Sequence, residues 1–199
     1  MPSQPDRTGD PDLLSWLRGS SGPETAGLVH RLDRPVSGVM VFALDDASLA
    51  SLGQQFRERR IAKVYWAIVE GSIHGPRVLE NVIAQDGRRN KAVVGRAEQA
   101  KSVRLAIRPL AKGDRYSLLE VVPDGGAFHQ IRAQLGAAGH PIKGDVKYGA
   151  RRGEKDRSIA LHARSLGFHD PITEHPVSVT APHPVSPLWS ALVALIAEP

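Results

Sequence analysis

The chain has 199 residues, 41% of them hydrophobic and 24% charged, a balance suited to one globular domain with a sizeable core. The absence of cysteine excludes disulfides and thiolate metal sites, and no apolar run approaches the roughly 20 residues needed to span a bilayer. A formal net charge of +5 leans towards a polyanionic partner, while an aromatic content of 5% argues against a single-strand binder built on a row of stacking rings.

The start, Met1-Pro2-Ser3-Gln4-Pro5-Asp6, carries no signal-peptide apolar stretch, so the cytoplasm is the expected location. Asp10-Pro11 supplies an N-cap and a proline for a short amphipathic helix bearing Leu13, Leu14, Trp16 and Leu17, with Gly19 as its stop. A charged loop, His30-Arg31-Leu32-Asp33-Arg34, then runs into an apolar segment. From Val39 to Leu44 that segment is β-branched, bounded by Gly38 and by Asp45-Asp46, and reads as a buried strand. Asp33 is thereby a carboxylate anchored ahead of a strand between two arginines. By its surroundings alone it is either a loop cap paired with a neighbouring arginine or a working carboxylate.

Asp45 or Asp46 caps a second helix with an apolar stripe at Leu49, Leu52 and Phe56, closed by cations from Arg57 to Arg60. Ile61 to Glu70 is the clearest strand. Its period of two puts Lys63, Tyr65, Ala67 and Val69 on one face and Val64, Trp66 and Ile68 on the other. From Val78 to Val122 the pattern is strand, turn, strand, with turns at Asp86-Gly87 and Lys112-Gly113-Asp114. Arg88, Arg89, Lys91 and Arg96 make the first hairpin basic, either to grip phosphates or to keep an edge solvated. A helix is expected over 128–138, with Ile131, Leu135 and Ala138 inward, and with His129 and Arg132 together near its electropositive N-terminus. Ser158 to Phe168 reads as a strand through Ile159–Ala163, expected to pair with Val177–Thr180 across the Asp170-Pro171 turn, and Ser186-Pro187 caps a last helix. The 8 histidines form no HxxxH or HExxH pair, so no metal site is expected.

Five motifs then occur in a familiar order: His30-Arg31-Leu32-Asp33-Arg34 with Ser37-Gly38; Lys63-Val64-Tyr65-Trp66-Ala67; His129-Gln130-Ile131-Arg132; Gly139-His140-Pro141-Ile142-Lys143-Gly144-Asp145 with Tyr148-Gly149; and Leu161-His162-Ala163. In this order they resemble the RluA-type RNA pseudouridine synthases, from about Pro2 to Pro184. The resemblance implies an α+β catalytic domain with a mixed, mostly antiparallel sheet, flanking helices and a central catalytic cleft. It also implies an isomerase that converts specific uridines of rRNA or tRNA into pseudouridine with no metal or organic cofactor, as a monomer. Asp33 would be the nucleophile or base that starts glycosidic cleavage, and Arg132 the cation that keeps it ionised. Tyr65 would stack on the target base and take its C5 proton. Because that base must leave its stack, Arg31 would fill the vacated space, with His30, Lys63 and His129 on the RNA side and Leu161 as an apolar wall.

Some features depart from the family pattern. Residues 1–199 read as one catalytic domain, expected to lack the family's usual first strand ahead of Pro2 and any S4-type RNA-binding domain. Gly126-Ala127-Phe128 stands where many members carry Gly-Arg and a small polar residue, and Val36 replaces a common threonine. These departures motivate an alternative, a catalytically impaired RNA-binding protein of the same fold. A glycoside hydrolase would want a second carboxylate across the cleft, and neither Asp145 nor Glu70 sits in an obvious pairing motif.

Overall fold

The computed structural model describes residues 1–6, 8–20, 22–95 and 100–196. Arg96, part of the basic hairpin named above, lies outside them. In chain order the elements are α1 (Leu13–Ser20), β1 (Gly27–Leu28), β2 (Ser37–Gly38), β3 (Phe42–Ala43), α2 (Asp46–Arg57), β4 (Ala62–Glu70) and β5 (Arg77–Asp86). There follow β6 (Lys91–Val94), β7 (Lys101–Lys112), β8 (Tyr116–Asp124), α3 (Gln130–Ala137), a 3-10 turn (Val146–Tyr148), β9 (Leu161–His169), β10 (Pro176–Thr180) and α4 (Pro187–Val193). This is the mixed α+β arrangement with mostly antiparallel pairing that was expected. No helix among the described residues is long and apolar enough to cross a membrane.

The residues fall into two compact units, one comprising 1–63 with 163–182, the other 64–162 with 183–199. The chain passes from one to the other within β4, within β9 and again after Pro182.

In the first unit β1 and β3 form a two-residue antiparallel ribbon, and β9 pairs with β10. The expected buried strand over Val39–Leu44 shrinks to Phe42–Ala43, because its other donors are bonded elsewhere. The Val39 N–H donates to the Ala163 carbonyl at 3.0 Å, and the Val41 N–H donates to His30 Nε2 at 3.1 Å. Leu44 is left more than half exposed. Helix α1 begins later than Asp10-Pro11 suggested. Asp12, itself buried, accepts the Ser15 N–H at 3.0 Å, and Trp16 points largely to solvent. Helix α2 is capped as expected, with Asp45 accepting both the N–H and the hydroxyl of Ser48. Its buried Gln55 then exchanges two bonds with the backbone of His169, at 2.8 and 2.9 Å, closing the end of β9 as another strand would.

In the second unit the strands are ordered β4-β8-β7-β5-β6, antiparallel throughout. The hairpins turn where Asp86-Gly87 and Lys112-Gly113-Asp114 predicted. Register places Tyr65 opposite Val121, and Val121 opposite Ile107, so these three share one sheet face. Helix α3 binds the strands through polar side chains. Gln130 Nε2 donates to the Arg104 carbonyl, and Gln134 Nε2 to the Leu79 carbonyl and Asn81 Oδ1, each at 2.9 Å. Every residue from Gln130 to Leu135 is buried, so the amphipathic stripe expected of this helix is replaced by burial all round. The helix also starts two residues late, because His129 adopts a left-handed backbone (φ 50°) and serves as its N-cap. Ser186 caps α4 as expected, and its Trp189 and Leu192 are buried.

Gly38 ends the loop that carries Asp33. Its φ is +123°, and a Cβ there would lie 2.3 Å from the Ala163 carbonyl oxygen, inside a backbone pairing that cannot give way. Gly38→Ala should therefore destabilise the protein by at least about 2 kcal/mol. A thermal melt checks this: a fall of several degrees is expected, and an unchanged midpoint would contradict it.

Candidate active site

In the first unit, Asp33 occupies a tight turn closed by the Val36 N–H donating to the Asp33 carbonyl at 2.8 Å. The preceding Leu32 is buried, which pins the turn to the core, while Asp33 is half-buried and Arg31 exposed. Arg34 turns towards the N-terminal segment. It donates to Thr8 Oγ1 at 3.0 Å, pairs with Asp6 at 3.5 Å and makes a close pair with Asp10. Asp10, expected as a helix cap, instead tethers the N-terminal segment to the Asp33 turn. All three side chains are more than one-third exposed, so the tether contributes little to stability. Hydrogen bonds from Thr8 hold the Asp6 carboxyl below its ordinary value.

His30 lies inside the same loop. Its ring stacks on Phe56 of α2, centroids 4.7 Å apart, and Nε2 accepts the Val41 N–H. An accepting Nε2 requires the neutral ring with its proton on Nδ1. Burial, reinforced by the nearby charge of Lys63, pushes the His30 pKa down to about 4. Lys63 and His30 are thus brought together, and His30 shapes the loop that presents Arg31 and Asp33.

In the second unit Tyr65 is half-buried on β4, and Leu161, at the start of β9, is 3% exposed. Arg132 is 5% exposed. Its Nε and Nη2 donate to Oδ2 and Oδ1 of Asp145 at 2.7 and 2.8 Å, the two parallel bonds of a fork on a carboxylate, and Asp145 is itself 1% exposed. The third nitrogen, Nη1, lies 3.1 Å from His129 Nε2. His129 stacks on Phe128 with centroids 3.9 Å apart, and its Nδ1 lies 2.8 Å from Tyr148 Oη. Tyr148 Oη also accepts the Ala92 N–H of β6 at 2.7 Å. The expected proximity of His129 and Arg132 is therefore realised, at the mouth of α3, by the left-handed turn at His129.

A family model described as RNA pseudouridylate synthase matches residues 1–137. The chain belongs to the RNA pseudouridylate synthase family. It is 31% identical over 201 residues to tRNA pseudouridine synthase C of Vibrio cholerae, covering 92% of this chain and 81% of that protein. It is 38% identical over 159 residues to an uncharacterized RNA pseudouridine synthase of Chloroflexus aurantiacus, covering 79% of this chain but only 50% of that protein. Among solved structures, human RNA Pseudouridylate Synthase Domain Containing 1 superposes with a TM-score of 0.71 at 28% identity, covering 87% of this chain and 81% of that one. The family is the one that the ordered motifs resemble, and it makes the chain an isomerase acting on RNA.

In this pseudouridylate synthase the first unit holds His30, Arg31, Asp33 and Lys63, and the second holds Tyr65, His129, Arg132 and Leu161. Sequence reasoning missed Asp145 and Tyr148 as partners of the site residues. The available signal was an aspartate in the tight-turn stretch Lys143-Gly144-Asp145.

The shift at His30 has a measurable consequence. Its folded pKa of about 4 lies below the ordinary histidine value of 6.5, so between these pH values the unfolded chain binds more protons. The contribution is fully present above pH 6.5 and is lost as pH falls towards 4, amounting to at most about 3 kcal/mol. Urea unfolding at a series of pH values should show this slope in the wild type. His30→Gln should be less stable at pH 7 and should lose that part of the slope; an unchanged slope would contradict the assignment.

Proposed function

We propose that the chain isomerises specific uridines of tRNA or rRNA to pseudouridine, with Asp33, Tyr65 and Arg132 as its catalytic residues. The observation that carries this reading is the family match over residues 1–137, a span that contains all three. Relatives named for tRNA and for the large ribosomal subunit support the two substrate classes.

The chemistry balances without an oxidant, a reductant or net hydrolysis. The bond between N1 and C1′ of the uridine breaks, the base turns, and C5 bonds to C1′. The proton lost from C5 is matched by one gained at N1, which is no longer glycosylated. Asp33 starts the cleavage, as nucleophile on the sugar or base, or as a base itself. Arg132 supplies positive charge from a rigidly held position, and Tyr65 stacks on the base and accepts the C5 proton. The target must first be flipped from its stack, a cost met by contacts that replace the lost stacking. Arg31, exposed beside Asp33, takes the vacated space. His30, Lys63 and His129 contact the RNA, and Leu161 is the apolar wall against the base. Residues 1–199 act as one catalytic domain, as a monomer, in the cytoplasm.

The impaired-binder alternative has no observation in its favour. One of the departures that motivated it, at Gly126-Ala127-Phe128, leaves the span from His129 to Arg132 intact. To test the proposal, RNA from cells lacking the gene is incubated with purified protein, and pseudouridine is mapped by sequencing. The wild type should modify defined uridines, and Asp33→Asn should lose at least about 10³-fold in rate while keeping RNA affinity. Tyr65→Phe should fold, bind and stall. A fully active Asp33→Asn protein would remove Asp33 from the chemistry, and a fully active Tyr65→Phe protein would remove Tyr65 from the proton step.

A further inference from the structure

We propose that Asp145 and Tyr148 are positioning residues for Arg132, acting on the reaction through its guanidinium without touching the RNA. The inference rests on the reading of Arg132 as a catalytic residue.

Three sides of the guanidinium are restrained. In its plane, the Asp145 carboxylate takes Nε and Nη2 through bonds of 2.7 and 2.8 Å. Along the remaining edge, Nη1 meets His129 Nε2 at 3.1 Å. Over its face lies the Tyr148 ring, with the centroid 5.0 Å from Cζ, within cation–π range. An arginine on four rotatable bonds is thereby held in one orientation before any substrate arrives.

The restraints are themselves anchored. The Asp145 carbonyl accepts N–H bonds from Tyr148 and Ala150, and its own N–H donates to Ile142, so the carboxylate sits on a closed loop. Because Nη1 can only donate, His129 Nε2 must accept, and the ring proton then lies on Nδ1, pointing at Tyr148 Oη 2.8 Å away. The Tyr148 hydroxyl also takes the Ala92 N–H at 2.7 Å. Arg132 is thus connected through two side chains to β6.

A purely structural buried pair makes a different prediction. Buried ion pairs add little to stability compared with well-packed apolar side chains of similar volume, so such a pair could be replaced without loss of function. A pair kept to orient a catalytic cation could not. Misplacing a catalytic group by about 1 Å costs roughly 10²-fold in rate, and that cost falls on kcat, not on RNA binding.

The test uses total tRNA and rRNA labelled with [5-³H]uridine from cells lacking the gene, with tritium release as the readout. Asp145→Asn, which keeps the shape, should lower kcat by roughly 10²-fold with KM within about threefold of wild type. Tyr148→Phe should lower kcat by roughly tenfold, again with KM held. In an Arg132→Met background, adding either change should cost no further activity, since both act through the missing guanidinium. If Asp145→Asn fails to fold by circular dichroism, Tyr148→Phe alone decides. Folded variants with wild-type kcat, or with the same loss in the Arg132→Met background, would overturn the proposal. An Arg132→Met protein as fast as wild type would instead overturn the reading of Arg132 itself.

Discussion

A guanidinium almost sealed from water exists only where a carboxylate has been built for it, and the second unit is arranged around meeting that condition at Arg132. Removing either partner would leave an uncompensated buried charge, a loss of several kcal/mol, so the fold must deliver both together. It does so with two devices. The left-handed residue at His129 starts α3 so that Arg132 faces the loop from Ile142 to Ala150, and that loop's own backbone bonds present the Asp145 carboxylate. The polar residues Gln130 and Gln134, buried on the same helix, bond to strand carbonyls. One short helix therefore carries a buried cation together with two buried amides that tie it to the strands.

The first unit solves a related problem with a neutral group. The loop around Asp33 has too few residues for a ladder, so its donors are taken one by one: Val36 by Asp33, Val39 by Ala163, Val41 by the His30 ring. A histidine serves here because its unprotonated nitrogen accepts like a carbonyl while its ring packs like a phenylalanine on Phe56. The same burial that fits it for the role keeps it uncharged. The loop is thus hydrogen-bonded at its base, while Arg31 is exposed and Asp33 half-buried.

Local patterns carried most of the fold into view. The strand from Ile61 to Glu70, the turn residues at Asp86-Gly87 and Lys112-Gly113-Asp114, and the caps at Asp45 and Ser186 each depend on a few neighbouring residues, and each appears where expected, although β4 is buried on both faces at Ala67, Ile68 and Val69. What stayed hidden depended on distance along the chain. Gln55 meets His169 across 114 positions and Arg132 meets Asp145 across 13, and no spacing rule pairs them. The strand from Val39 shortened for the same reason, because its donors are claimed by residues remote in sequence. The amphipathic reading of α3 failed because Gln130, Arg132 and Gln134 are buried with partners, and polarity alone cannot distinguish that from exposure. Asp33 was ambiguous by its neighbours, and the catalytic role proposed for it rests on the order of motifs along the chain.

The claim at the centre of this account is that the chain rearranges a glycosidic bond and hydrolyses none. The measurement that tests it most directly is a nucleoside mass balance on RNA from cells lacking the gene, digested after reaction with the protein. The account predicts that each uridine lost is replaced by a nucleoside of identical mass whose base resists glycosidic cleavage, with no free uracil. Free uracil appearing in proportion to the uridine lost would contradict it.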